Sequence, residues 1–200
     1  MLAAVLVSSP LIAQIVSIGL RAGVPITPAL TADGPRQASA PRFTIGPFFE
    51  LHLWHDAAFS ADFLLRRTDL VTSAAESQRA EIWLWEAPVT LIYRFHVPAR
   101  PFVRTGVSFN RVFDVSGATE CARGPFGEQF YCLEGNSVAE LRHRGTSGFV
   151  AGGGLRFQFK GHWLEPEVRL THWFDRNFGV RDSAVRSNLN QIGLLLGVMF

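Results

Sequence analysis

No run of apolar residues in this chain is long enough to cross a bilayer as a helix, although 48% of its 200 residues are hydrophobic. Charge is scarce as well. Charged residues make up 18%, and a formal net charge of +2 with no basic cluster excludes a nucleic-acid surface. Cysteine is limited to Cys121 and Cys132, and no Cys/His spacing suits a metal ion, so neither metal nor other cofactor is expected. Gly152-Gly153-Gly154 lacks the Lys-Ser/Thr that follows in a phosphate loop and reads instead as close packing or bending within a strand. What the chain does have is eighteen glycines, seventeen phenylalanines and five tryptophans, a composition of strands and turns. Its length suits one domain.

The most informative segment is the last. From Ile192 to Phe200, large apolar side chains stand at every even position (Ile192, Leu194, Leu196, Val198, Phe200), with Gly193 and Gly197 between them. In a strand this gives one unbroken apolar face and one loosely filled face. Such an edge would aggregate in water, whereas a strand that closes a barrel in lipid requires it. At the other end, residues 1–13 are small and apolar and read as a secretory signal peptide, with Ala13 before the cleavage site and the mature barrel domain over 14–200. The n-region carries no Lys or Arg. An uncleaved anchor is the alternative, opposed by Pro10, Gln14 and Arg21, which interrupt the apolar run.

Eight segments alternate with period two, near 15–24, 43–54, 59–67, 80–95, 101–111, 147–159, 163–174 and 188–200. The connections after the first, third, fifth and seventh run to about 18, 12, 35 and 13 residues, and those between them to about 4, 5 and 3. Long loops on one rim and tight turns on the other describe an all-β, eight-stranded, antiparallel up-and-down transmembrane barrel. The presumed lipid faces carry sets such as Val16, Ile18 and Leu20, or Val89, Leu91 and Tyr93, free of charge at mid-strand. The opposite faces collect Arg21, Glu50, His52, Asp62, Arg66, Glu86, Arg94, Arg104, Arg156, Glu165, Glu167 and Arg169. This parity fixes register, because a one-residue slip would place each midplane arginine in hydrocarbon at roughly 2–4 kcal/mol. Aromatics gather near both ends of the lipid faces: Phe43, Trp83, Trp85, Phe109, Phe149 and Phe174 toward the long loops, Phe59, Tyr93, Phe95, Phe157, Phe159 and Phe200 toward the turns.

With its signal-like N-terminus, eight alternating segments and terminal Ile192/Leu194/Leu196/Val198/Phe200 pattern, the chain resembles the eight-stranded outer-membrane barrels of Gram-negative bacteria, the OmpA-like and small porin-like proteins. The resemblance spans the whole mature chain and implies integral placement in the outer membrane among its lipids, as a monomer. It also implies that the terminal pattern is the signal read by the barrel-assembly machinery. No peptidoglycan-binding domain is expected after Phe200, a departure from the two-domain members. In the deacylases among barrel enzymes, a His and a Ser two residues apart face outward; here His172 is followed at that spacing by Phe174, so the motif fails.

Six arginines against five carboxylates inside an eight-stranded barrel, which is just wide enough for side chains to fill, favour a charge-paired plug over a narrow conducting pore. Glu165 and Glu167 share a face, but neighbouring arginines suit them to ion pairing better than to acid–base catalysis. Residues 112–146 form the longest loop. Its two cysteines, ten residues apart in an exported chain, are expected to form a disulfide worth roughly 3 kcal/mol. Phe126, Phe130 and Tyr131 in that loop either form a recognition surface for an unidentified ligand or fold over the barrel mouth. The leading expectation is a non-enzymatic barrel whose loops meet the environment, ahead of a narrow pore and a lipid-modifying enzyme. A soluble lipocalin-like barrel, with apolar residues inside, is the other fold compatible with alternation.

Overall fold

The computed structural model describes residues 16–28, 30–32, 36–38, 43–54, 56–72, 78–116, 119–123, 130–134, 143–177 and 185–200. The expected signal peptide and cleavage site lie outside the described residues. Eight antiparallel strands close into a barrel. They are β1 (Val16–Pro25), β2 (Phe43–His52), β3 (Ala57–Asp62 continued by Leu64–Thr72) and β4 (Gln78–Arg94). The second half is β5 (Pro101–Ser116), β6 (Gly145–Leu155 continued by Phe157–Phe159), β7 (His162–Trp173) and β8 (Asn190–Met199). Each strand pairs with its sequence neighbours, and β8 closes on β1 with Leu20 opposite Val198 and Val24 opposite Leu194. Closure leaves no edge, which is what a sheet in hydrocarbon requires, since no water is there to satisfy a free N–H or C=O.

The strand faces follow the expected parity. Leu20, Ile45, Leu91, Val107, Val168 and Leu196 are each 43–52% exposed on the outside, whereas Arg21, Glu50 and Ser60 are wholly buried inside. A soluble barrel of lipocalin type would have the reverse distribution, so that alternative is excluded. The enclosed space also holds apolar side chains: Ala58, Ile92 and Phe102 cluster toward the turn end, and Phe48 and Met199 are buried on the same face.

Strand ends differ from the sequence expectation. β3 reaches Thr72 and β4 begins at Gln78, so the long connection expected after the third strand shrinks to 73–77. β5 continues to Ser116, into what was expected to be loop. Outward positions there become polar (Arg67, Arg111, Asp114), so the alternation fades while the hydrogen-bonded ladder continues. A register shift at Trp83/Leu84 leaves Phe113 unpaired, since Leu84 faces Val112 and Trp83 faces Asp114. The break in β3 at Phe63 has a local cause. Pro47 on β2 and Pro88 on β4 offer no N–H to the ladder, and Phe63 N–H still donates to Pro47 C=O at 2.9 Å. At the tight-turn rim, Lys160 and Gly161 both have positive φ, 48° and 86°, as a two-residue hairpin turn requires.

Candidate functional site

The wall places its charges by alternating them with glycine. Arg21 stands between Gly46 on β2 and Gly197 on β8, and Glu165 on β7 also faces Gly197. Gly152 on β6 separates Arg104 on β5 from Arg169 on β7. A methyl group on Gly152 would lie 3.1 Å from Glu167 Oε1 and 3.3 Å from Arg104 Cγ, so the missing side chain is the space that these groups use. Eleven ionisable side chains thereby converge in the lumen, all of them buried.

Their contacts form three tiers. Near the turn rim, Arg94 hydrogen-bonds Glu50, Arg156 Nη1 lies 3.6 Å from Glu50 and 3.5 Å from Glu165, and Arg156 Nη2 donates to Met199 Sδ at 3.0 Å. In the middle, Arg21 Nη1 donates to Asp62 at 2.5 Å and its Nη2 sits 3.4 Å from Glu165, with the guanidinium 4.1 Å above the Phe48 ring. Arg169 donates to Glu167 at 2.7 Å and to Asp62 at 2.8 Å, and Arg104 Nε is 3.4 Å from Glu167. Toward the loops, Arg66 pairs with Glu86 at 3.4 Å and donates to Gln191 Oε1 at 2.5 Å, while Ser108 donates to Glu86 at 3.1 Å.

Several of these contacts run across the lumen rather than between neighbouring strands, as the sequence reading had them. Arg21 on β1 reaches Asp62 on β3 and Glu165 on β7, and Arg169 on β7 also reaches Asp62. Glu165 and Glu167, the pair that invited a catalytic reading, are each held among three arginines: Arg21, Arg94 and Arg156 for Glu165, and Arg21, Arg104 and Arg169 for Glu167. His52 is half-buried at the turn-side end of β2. His172 lies outside the barrel with Nδ1 2.7 Å from Asn190 Oδ1 and its ring edge against Phe174.

Aromatic girdles mark both rims. Phe43 packs edge-on against Trp83, Phe63 stacks on Trp85 at 5.8 Å, and Arg67 lies 5.5 Å over Trp83 on the loop side. On the turn side Tyr93 meets Phe95, and Trp163 lies between the guanidiniums of Arg100 and Arg156 at 5.0 and 4.8 Å. Trp163 and Trp54 were not singled out from the sequence: Trp54, exposed beside a tight turn, stands where interfacial tryptophans belong, whereas Trp163 shares the lumen face of Glu165 and Glu167 and lies against Arg156. The buried apolar residues Phe48, Ile92 and Phe102 were also missed. Parity places them inside, but charge was the signal followed.

This combination of a closed eight-stranded meander, an uncharged exposed belt and a charged interior decides the fold. The chain folds as a small outer-membrane β-barrel. Solved structures bear the same architecture: the outer membrane protein OprG of Pseudomonas aeruginosa has a TM-score of 0.58 at 12% identity, over 92% of this chain and 93% of that one. Neisserial surface protein A has a TM-score of 0.51 at 14% identity, over 93% and 97%. No protein-family model matches the chain, and no curated protein matches it in sequence. In this outer-membrane barrel the terminal strand carries Leu194, Leu196 and Phe200 exposed, with Ile192 and Val198 half-buried, and Phe200 N–H donates to Ile18 C=O on β1 at 3.1 Å. The terminal residue is thus part of the closing seam.

The loop rim of the barrel is tied by short ladders. Leu30–Ala32 pairs with Val185–Ser187, joining the first and seventh connections, and Arg36–Ala38 extends the sheet beside β3. In the fifth connection Thr119–Arg123 and Phe130–Glu134 form a hairpin whose register sets Cys121 directly opposite Cys132. Phe126 lies outside the described residues.

Proposed function

We propose that this barrel is a non-enzymatic outer-membrane protein whose lumen is closed by its own ion pairs and whose function is carried by the loop rim, through surface contact or binding of an extracellular ligand. The observation that supports this most directly is the three-tier network. Each tier crosses the enclosed space, and the groups in it are almost wholly buried, so a hydrated ion would have to separate pairs whose partners have no water to turn to. The apolar seal of Ala58, Ile92 and Phe102 at the turn end acts in the same direction. Glu165 and Glu167, fixed among guanidiniums, are suited to ion pairing better than to general acid–base chemistry. The lipid belt takes outer-membrane lipids, the terminal Ile192/Leu194/Leu196/Val198/Phe200 face is the segment offered to the assembly machinery, and the protein acts as a monomer. The loop hairpin, with Cys121 and Cys132 in register for a disulfide, is the structured part of the recognition rim.

Conductance tests the closed lumen. The purified barrel in planar bilayers at neutral pH is expected to give no stable single-channel steps, and reproducible steps would replace the plug with a narrow pore. For catalysis, incubation with lipid A followed by mass spectrometry is expected to leave the acyl chains unchanged.

A further inference from the structure

The buried charges of the lumen do not cancel. Six arginines face five carboxylates, so the described interior is positive by one unit. An uncompensated charge in a water-poor interior is unfavourable unless a partner is found. Of the other acids whose side chains are described, none supplies one: Asp114 and Asp175 are exposed at the loop rim, and Asp56 is engaged by His96 at the turn rim.

Orphaned guanidinium nitrogens are spread over the lumen: among the described residues Arg104 makes no hydrogen bond through any of its three, although Glu167 and Asp62 lie 3.4 and 3.8 Å from it, and Arg169 has one. Arg169 donates through Nε to Glu167 and through Nη2 to Asp62, while its buried Nη1 has no hydrogen-bond partner among the described residues. Arg169 also lines a cavity of about 20 Å³ in the loop-side half of the lumen, together with Arg66, Glu86, Thr44, Thr171 and Gln191. Glu167 and Asp62, which hold its other two nitrogens, are not part of that lining, which leaves Nη1 as the nitrogen without a protein partner beside the space. Two guanidiniums and two threonines meet a single carboxylate there, and Glu86 is itself held by Arg66 and Ser108. Room for about one water-sized sphere suits a monatomic ion better than phosphate or sulfate.

We propose that the cavity between Arg66, Arg169, Thr44 and Thr171 binds one chloride-sized anion, which neutralises the surplus positive charge of the lumen. Such an ion would accept from Arg169 Nη1 and a threonine hydroxyl, and would make the interior electroneutral whether or not the barrel conducts. Conductance and anion binding can therefore fail separately.

Two substitutions break the same ion pair with opposite consequences. Arg66→Gln balances the lumen at five charges of each sign, and Glu86→Gln leaves it positive by two. With the folded barrel in zwitterionic micelles, chloride binding is read from the excess ³⁵Cl linewidth. Arg66→Gln is expected to weaken binding at least tenfold and Glu86→Gln to strengthen it, while Arg100→Gln at the exposed turn rim leaves it unchanged. Equal losses in the first two variants would mean that only packing had been disturbed and would overturn the proposal, as would absence of excess linewidth in the unaltered protein. Where the variants fail to fold, crystals of the unaltered barrel soaked in bromide serve the same end. An anomalous peak beside Arg169 Nη1 supports the site, and density for a water molecule there, without anomalous signal, refutes it.

Discussion

Glu50 is wholly buried and engages both Arg94 and Arg156, so its charge matters more than its volume. Glu50→Gln keeps the shape but leaves two guanidiniums sharing Glu165. Because the lost partner strands buried charge, the expected destabilisation is about 3–5 kcal/mol, measured as the urea midpoint of the barrel in lipid vesicles. Adding Arg94→Gln removes one of the stranded cations and is expected to recover part of that loss, so the double variant should be more stable than additivity allows. Gly197 gives the steric counterpart. A β-carbon there would sit 3.4 Å from Glu165 Cβ and 3.5 Å from Arg21 Nε, ordinary contact distances, so Gly197→Ala is expected to cost little. Gly197→Val extends further into the same space and must displace Arg21 from Asp62, with an expected loss of about 1–3 kcal/mol by the same measurement.

Among the elements, the rim hairpin makes the sharpest prediction. Directly opposed residues of an antiparallel pair have Cα atoms about 4.5–5.5 Å apart, inside the range a disulfide spans, and Cys121 and Cys132 occupy such a pair. Protein isolated without reductant is therefore expected to resist thiol alkylation until dithiothreitol is added. Replacing both cysteines with serine should leave the barrel's gel mobility unchanged but speed trypsin cleavage at Arg123, because the hairpin then lacks its covalent closure. Alkylation of both thiols in the unreduced protein would remove the disulfide. The strands themselves show how far sequence can be read. Their cores were legible because lipid demands an apolar residue at every outward position, as in Leu20, Leu91 and Leu196. Their loop-side ends were not, because beyond the hydrocarbon Arg67, Arg111 and Asp114 satisfy a strand as well as any apolar residue. Lumen membership was legible from parity alone, whereas the partners were not. The contact between Arg21 and Asp62 depends on strand tilt and the width of the closed barrel, which no local pattern encodes.

For the whole molecule, the distribution of polarity dictates where folding can occur. The apolar belt runs round all eight strands, from Ile18 on β1 to Leu196 on β8, while the interior is filled by ion pairs and a small apolar seal. Among the described residues there is no buried apolar core large enough to drive folding in water, because most of the large apolar side chains lie on the outside and gain nothing until hydrocarbon covers them. Closure then makes the structure cooperative, since no strand can leave without exposing two ladders at once. Dilution from urea into zwitterionic micelles is accordingly expected to yield a species that migrates faster on unheated SDS gels than after boiling. Dilution into the same buffer without detergent should yield aggregate alone, and cell fractionation should place the native chain in the outer membrane. A monodisperse, soluble barrel recovered without detergent would contradict the outward orientation of Leu20, Leu91 and Val168, and with it the placement in a membrane.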